Sequence, residues 1–166
     1  MNYKCIALVG LIMTTTTARA QSIGFGYSSN KSFLVDCTWT HDKSIYQLGL
    51  AVQQSDAVGK KVDSRLPNYG LSATGTGNSY ASLDFGVGFK PTNSVKVVFI
   101  GSAGQREYFT NYADGRFNGG GYHIVDNTKF VAGGGISVYI DLSRKWGAEL
   151  GFNSLHGALA TIQYLF

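Results

Sequence analysis

An all-β chain, folded as an eight-stranded antiparallel up-and-down transmembrane barrel, is the fold that this sequence predicts. Three observations lead there. Apolar and polar residues alternate with period two through nearly the whole chain after residue 20. Of the 166 residues, 44% are hydrophobic and only 14% charged, below the roughly 25–35% of an ordinary soluble surface. The longest near-continuous apolar run, Cys5–Met13, is far short of the about 20 residues a membrane-spanning helix needs. Any membrane crossing is therefore made by strands. The 22 glycines follow no triplet period, which excludes collagen.

The chain divides into two parts. Residues 1–20 read as a secretory signal peptide: Lys4 gives a basic start, Cys5–Met13 an apolar centre, and Ala18-Arg19-Ala20 a small-residue cleavage site. Residues 21–166 form the barrel domain. Cleavage removes Lys4 and Arg19, so part of the net charge of +4 belongs to the leader. The adjacent basic pairs, Lys60-Lys61 and Arg144-Lys145, are too sparse for a nucleic-acid footprint, so no nucleic-acid partner is expected. Cys37 is the one cysteine left after cleavage, so no internal disulfide is expected.

Strands are predicted at 22–28, 32–40, 44–54, 80–90, 94–106, 129–141, 146–153 and 158–166. The first carries Ile23, Phe25 and Tyr27 on one face and Ser22, Gly24, Gly26 and Ser28 on the other. The second alternates Phe33, Val35, Cys37 and Trp39 with Asp36 and Thr38, and the third Tyr46, Leu48, Leu50 and Val52 with Gln47, Gly49 and Gln53. Leu83, Phe85, Val87 and Phe89 face away from Asp84, Gly86 and Gly88 in the fourth. In the fifth, Val95, Val97 and Phe99 oppose Lys96, Ser102, Gly104 and Arg106. The last three set Ile136, Val138 and Ile140 against Ser137 and Tyr139, Trp146, Leu150 and Phe152 against Glu149 and Asn153, and Ile162, Tyr164 and Phe166 against Thr161 and Gln163. Leu34, Val98, Ile100, Leu159 and Leu165 break the rule on the polar face.

Alternation alone does not say which face is inside. A second face of Gly, Ser and Thr with scattered charge suits a crowded narrow lumen, which leaves the Leu, Val and Phe face for lipid. A soluble calyx with the faces reversed is the competing arrangement. Tight connections at 41–43, 91–93 and 142–145 alternate with long ones at 56–79 and 107–128, as short periplasmic turns alternate with longer extracellular loops. The connections at 29–31 and 154–157 are short outer ones. Both termini are then periplasmic. Trp39, Tyr46, Phe89, Trp146 and Phe166 fall at the periplasmic strand ends as an aromatic girdle, with Tyr27, Phe33, Phe130 and Phe152 towards the other rim.

The tail Ala160-Thr-Ile-Gln-Tyr-Leu-Phe166 resembles the terminal β-signal of bacterial outer-membrane proteins. All of residues 21–166 resemble small eight-stranded outer-membrane barrels of the opacity and attachment type, and are similar to the barrel of the outer-membrane protein A class. The resemblance implies an integral outer-membrane location. It also implies that the barrel assembly machinery reads Ile162, Tyr164 and Phe166 during biogenesis.

Asp36, Asp84, Lys96, Arg106 and Glu149 are expected to point into the lumen as a polar network of ion pairs, with Lys96 and Glu149 the first candidate pair and the bore closed to solutes. Outer-membrane lipid is one partner, an extracellular surface ligand another, and the barrel is expected to be a monomer. Candidate ligand contacts are Tyr112, Arg116, Phe117 and Tyr122 in loop 107–128, because aromatics and Arg make interface hot spots. Loop 56–79 adds Lys60, Lys61 and Arg65. His41, His123 and His156 are dispersed, with no metal-ligand spacing and no cofactor motif. Ser154-Leu-His156 does not match the His-x-Ser-Asn run of lipid A deacylases, so no catalytic residue is assigned and His156 is expected to be solvated. The expected role is non-enzymatic, structural in the envelope or adhesion-like through the two long loops. The alternatives are a narrow pore or a lipid A-modifying enzyme.

Overall fold

The computed structural model describes residues 21–63 and 72–166. The leader 1–20 and residues 64–71, Arg65 among them, lie outside the described residues. The strands are β1 (Ser22–Ser28), β2 (Ser32–His41), β3 (Ser44–Gln53), β4 (Lys60–Val62), β5 (Ala73–Phe89), β6 (Val95–Ala113), β7 (Gly121–Asp141), β8 (Trp146–Asn153) and β9 (Gly157–Leu165). All but β4 pair antiparallel with their neighbours, in the order β7-β6-β5-β3-β2-β1-β9-β8, and β7 returns to β8 to close the ring. The result is a closed eight-stranded barrel. β4 stands outside it, pairing parallel with β7 through Lys60, Lys61 and Val62 opposite Tyr122, His123 and Ile124.

Burial shows which face is inside. Phe25 is 59% exposed on the exterior, whereas Glu149 is 1% and His156 0% exposed within. The outer wall carries Phe85, Val87, Phe99, Ile136, Leu150, Phe152 and Ile162, all exposed. Each such side chain gains roughly 1.5–3 kcal/mol on leaving water, so this belt is built for an apolar surround. Four of the five residues that broke the alternation lie in two buried lumen clusters. Val98 and Ile100 pack with Ile45 and Tyr139, and Leu34 and Leu159 pack with Ala51.

Three strands run further than the sequence predicts. β5 begins at Ala73, β6 ends at Ala113 and β7 begins at Gly121. The two long loops are therefore largely continuations of the sheet. The ladder carries Asn78 opposite Tyr108 and Tyr112 opposite Tyr122, with bulges between Ala73 and Gly75 and between Tyr108 and Phe109. Beyond the barrel rim no lipid-facing side demands apolar residues, so the period-two signal lapses while the hydrogen bonds continue. At about 3.4 Å per residue, residues 73–80 alone carry the sheet roughly 25 Å past the last β3 contact, Val52 to Ala81.

Lumen glycines set the bore. A Cβ on Gly88, Gly104 or Gly135 would sit 2.0, 2.0 or 2.1 Å from the carbonyl oxygen of Val97, Ala81 or Phe152. Those contacts are with backbone, which cannot move aside cheaply. Gly101, on the lipid-facing side of β6, has its nearest such atom at 4.0 Å. Gly104→Ala is expected to cost about 1–3 kcal/mol of stability in detergent denaturation curves, while Gly101→Ala leaves the midpoint unchanged. Equal effects of the two would show that the bore does not depend on these contacts.

Candidate functional site

The lumen is held mainly by amides and hydroxyls. Gln163 Nε2 donates to both carboxylate oxygens of Asp36, at 3.0 and 3.2 Å, and reaches Glu149 Oε2 at 3.4 Å. Thr161 Oγ1 donates to the same Glu149 oxygen at 2.8 Å. Lys96 does not pair with Glu149. Its Nζ donates to Asp141 Oδ1 at 2.9 Å. The register explains the difference: Lys96 on β6 lies opposite Tyr139 on β7, and Tyr139 lies opposite Glu149 on β8, so the tyrosine stands between them. Asp141, two residues along β7, is the diagonal neighbour of Lys96. Arg106 stacks at the mouth, its guanidinium carbon 5.2 Å from the ring centroid of Tyr80. A cavity of about 20 Å³ remains, lined in part by Asp36, Gln47, Asp84, Glu149 and Thr161. That is room for about one water molecule.

His156 is not solvated. The connection between β8 and β9 folds inwards, turned by Gly157 at φ +78°, and places Leu155 and His156 as a plug under the rim past which β5, β6 and β7 extend. Its Nε2 lies 3.0 Å from Asp84 Oδ1 and 3.3 Å from Ser102 Oγ, and its Nδ1 lies 2.9 Å from the Tyr80 hydroxyl. Tyr80 contacts Ser32, and Asn153 Nδ2 donates to Ser102 Oγ at 2.9 Å. Gly133 leaves the space, since a Cβ there would lie 2.7 Å from that of Leu155. The sequence held one signal for this plug, the apolar Leu155 inside a connection read as polar.

Serine, histidine and aspartate meet here without forming a nucleophilic relay. A relay needs the carboxylate on one ring nitrogen and the serine on the other. In this cluster both face Nε2, and Ser102 is 5% exposed. The arrangement supports a structural plug that satisfies its own polar groups.

The projecting sheet is packed by its own aromatics. Tyr112 and Tyr122 stack at 5.0 Å, Phe117 lies 5.5 Å from Tyr122, and Phe109 meets His123 edge-on at 5.8 Å. Tyr122 is fully buried, and Tyr112 and Phe117 are half-buried. Three of the four candidate ligand contacts thus build the sheet. Asn111 anchors the approach to β4, accepting from Val58 N at 3.0 Å and donating to Asp56 O at 3.1 Å. His123 Nδ1 lies 3.0 Å from Val58 O, whereas Asp126 takes the Thr110 hydroxyl at 2.7 Å. Among the described residues no group of three or more His, Cys, Asp or Glu side chains could hold a metal.

Arg116 closes the hairpin tip on Asp114. Its Nε donates to Asp114 Oδ1 at 2.8 Å and its backbone N to the same oxygen at 3.0 Å. The side-chain bonds from Arg116 hold the Asp114 carboxyl down at about 2, below its ordinary 3.8.

At the opposite end of the barrel Trp39 stacks on Tyr46 at 6.1 Å, and Tyr164 contacts Trp146 at 5.2 Å and Phe166 at 5.6 Å. Phe89 and Ile162 are exposed on the exterior wall.

Asp84→Ala is expected to cost about 1–3 kcal/mol in denaturant unfolding, because it removes the nearer partner of the buried His156 Nε2 and leaves only Ser102 at 3.3 Å. An Asp84→Ala/His156→Ala cycle should show coupling of roughly 1 kcal/mol or more; additive single effects would remove the plug's central bond. For the tip, a depressed carboxyl contributes order that is complete above pH about 4 and disappears as pH falls through about 2. Amide-exchange protection at 114–120 should follow that course, and Arg116→Ala should move its loss up to about pH 4. Loss at the same pH in both proteins would mean that this contact does not order the tip.

No protein-family model matches the chain, and no curated protein matches it. A solved structure to which it is similar is Ail, the attachment invasion locus protein of Yersinia pestis, in complex with the heparin analogue sucrose octasulfate. The TM-score is 0.43 at 7% sequence identity, over 87% of this chain and 88% of that chain.

Proposed function

We propose that this is an integral outer-membrane barrel whose role is non-enzymatic surface interaction through the sheet that β5, β6 and β7 carry past one rim. The single observation behind this reading is that lopsided extension. β7 pairs with β8 only from Gly135 onwards and β5 with β3 only from Ala81 onwards, so residues 73–80, 104–113 and 121–134 have no ladder to the rest of the barrel, and β4 alone adds to them over Tyr122–Ile124. A rigid platform raised above a closed tube suits contact with another surface, and binding commonly resides on segments held by such scaffolds.

Residues 1–20 act as the export signal, and Ile162, Tyr164 and Phe166 serve the barrel assembly machinery. Both termini lie in the periplasm. Outer-membrane lipid covers the apolar belt, and the closed ring works as a monomer without nucleic acid or cofactor. The side chains that crowd the lumen, with a cavity of about 20 Å³ among Asp36, Gln47, Asp84 and Glu149, support a closed bore over a solute pore. That Asp84 and Ser102 share one nitrogen of His156 supports a non-enzymatic role over lipid A modification.

Gram-negative cells expressing the intact chain should yield a heat-modifiable band in the outer-membrane fraction and adhere to cultured epithelial monolayers. Deleting 109–125 should preserve the heat-modifiable band and reduce adhesion to that of cells without the protein. Unchanged adhesion with an intact barrel would overturn the surface-interaction role and leave an envelope-structural one.

A further inference from the structure

We infer that the barrel end carrying residues 21 and 166 is a binding surface for anionic phospholipid headgroups, with Lys43 and Lys90 forming one phosphate clamp and Arg144 with Lys145 a second. The inference rests on the membrane reading above and goes beyond it in naming a lipid class and a leaflet contact. It starts from four cations placed in three tight turns. Lys43 lies between β2 and β3, Lys90 follows β5, and Arg144 and Lys145 lie between β7 and β8. Among the described residues none of the four makes an ion pair. Of the acids at this end, Asp141 holds Lys96, and Asp42 is exposed to solvent, 3.7 Å from His41.

The cations are also placed against one another. Lys90 N donates to Lys43 O at 3.2 Å, so the two lysines spring from touching backbones. Arg144 and Lys145 are adjacent in sequence. Like charges side by side repel unless an anion sits between them. At the other end of the barrel Lys31, Lys61 and Arg116 each face a carboxylate of the chain itself.

Height selects lipid over a soluble anion. Lys90 directly follows Phe89, Lys145 directly precedes Trp146, and Lys43 lies three residues from Tyr46, which stacks on Trp39. At about 3.4 Å per residue each clamp lies within roughly 10 Å of an interfacial ring. That is the level of the phosphates in the adjoining leaflet. Polybasic segments at such a surface are drawn to anionic lipid, and salt screens the attraction.

The test refolds the chain 21–166 into phosphatidylcholine vesicles with and without phosphatidylglycerol and follows urea unfolding by tryptophan fluorescence and heat-modifiable mobility. Phosphatidylglycerol should raise the folded-to-unfolded ratio by about tenfold or more, an effect that shrinks in high salt. The gain should vanish in a Lys43→Gln/Lys90→Gln/Arg144→Gln/Lys145→Gln variant and persist in Lys60→Gln/Lys61→Gln. Equal stability in both vesicles, or a full gain in the turn variant, would overturn this inference alone. The same gain from inorganic phosphate in pure phosphatidylcholine would overturn the assignment to lipid. Failure to fold in either vesicle would overturn the membrane reading and this inference with it.

Discussion

Closure of the sheet through the β1–β9 ladder is the constraint on which the rest of the molecule depends. In hydrocarbon no water is available to satisfy a free N–H or C=O, so a strand protein can cross only if its last strand returns to its first. Closing so few strands leaves an interior just wide enough for side chains. Gly88, Gly104 and Gly135 then follow as necessities of close approach, since a methyl group at any of them would strike the backbone of the neighbouring strand. The apolar residues have nowhere to go but outwards. Side chains occupy most of a bore this narrow, and the strands that run past the rim are the part of the sheet that it does not confine.

The same narrowness decides how the interior is held together. A carboxylate withdrawn from water needs a partner, and a long cation is one answer, used by Lys96 and Asp141. Asp36 and Glu149 take the other. Gln163 is shared between them, and threonine hydroxyls add further contacts, with Glu149 Oε1 left without a partner among the described residues. Short neutral donors fit where a lysine would not, and they leave space for the small apolar clusters around Val98 and Leu34. His156 plays the corresponding role at the mouth. One imidazole reaches Tyr80 from one nitrogen and both Asp84 and Ser102 from the other, joining two strands, β5 and β6, that share no ladder with the plug's own strands.

Much of this was legible from residue order, and the places where it was not are informative. β1, β2, β3 and β8 were readable to within about a residue, because each lies wholly inside the belt where one face meets lipid and the other the lumen. The outer halves of β5, β6 and β7 were not, because above the rim alternation carries no penalty for being broken. Ala73–Ser79 reads as a flexible Gly/Thr/Asn loop and is a strand only because Glu107–Tyr112 supplies the ladder. β4 was invisible for a related reason, since three residues carry no period. Pairing inside the lumen failed on distance: height along the strand matched Lys96 to Glu149, but the intervening strand and the Tyr139 ring separate them. For the candidate ligand residues, aromatic content alone could not distinguish a ring that meets a partner from one that stiffens the platform. Tyr122 is the second kind, covered once β4 is in place.

That stiffening bears on what the projecting sheet can do. A three-stranded ribbon standing in water with two open edges invites pairing with any extended chain, which is a hazard as well as an opportunity. The two edges are handled differently. On one, the outer half of β7 is capped by β4 over Tyr122–Ile124, and beyond the cap it presents Asp126, Asn127, Thr128 and Lys129, polar or charged at every position. On the other, residues 73–79 of β5 have no ladder partner on the β3 side among the described residues, and their composition is small and polar throughout. Phe130, 75% exposed, follows the polar run on β7 where the apolar belt begins; the stretches 126–129 and 73–79 themselves offer none of the large apolar side chains that drive indiscriminate aggregation. Any contact made on this platform would fall largely on polar and charged groups held at fixed spacing by a packed aromatic interior. A rigid scaffold reduces the ordering entropy that a contact costs, and the ring stack of Tyr112, Phe117 and Tyr122 supplies that rigidity.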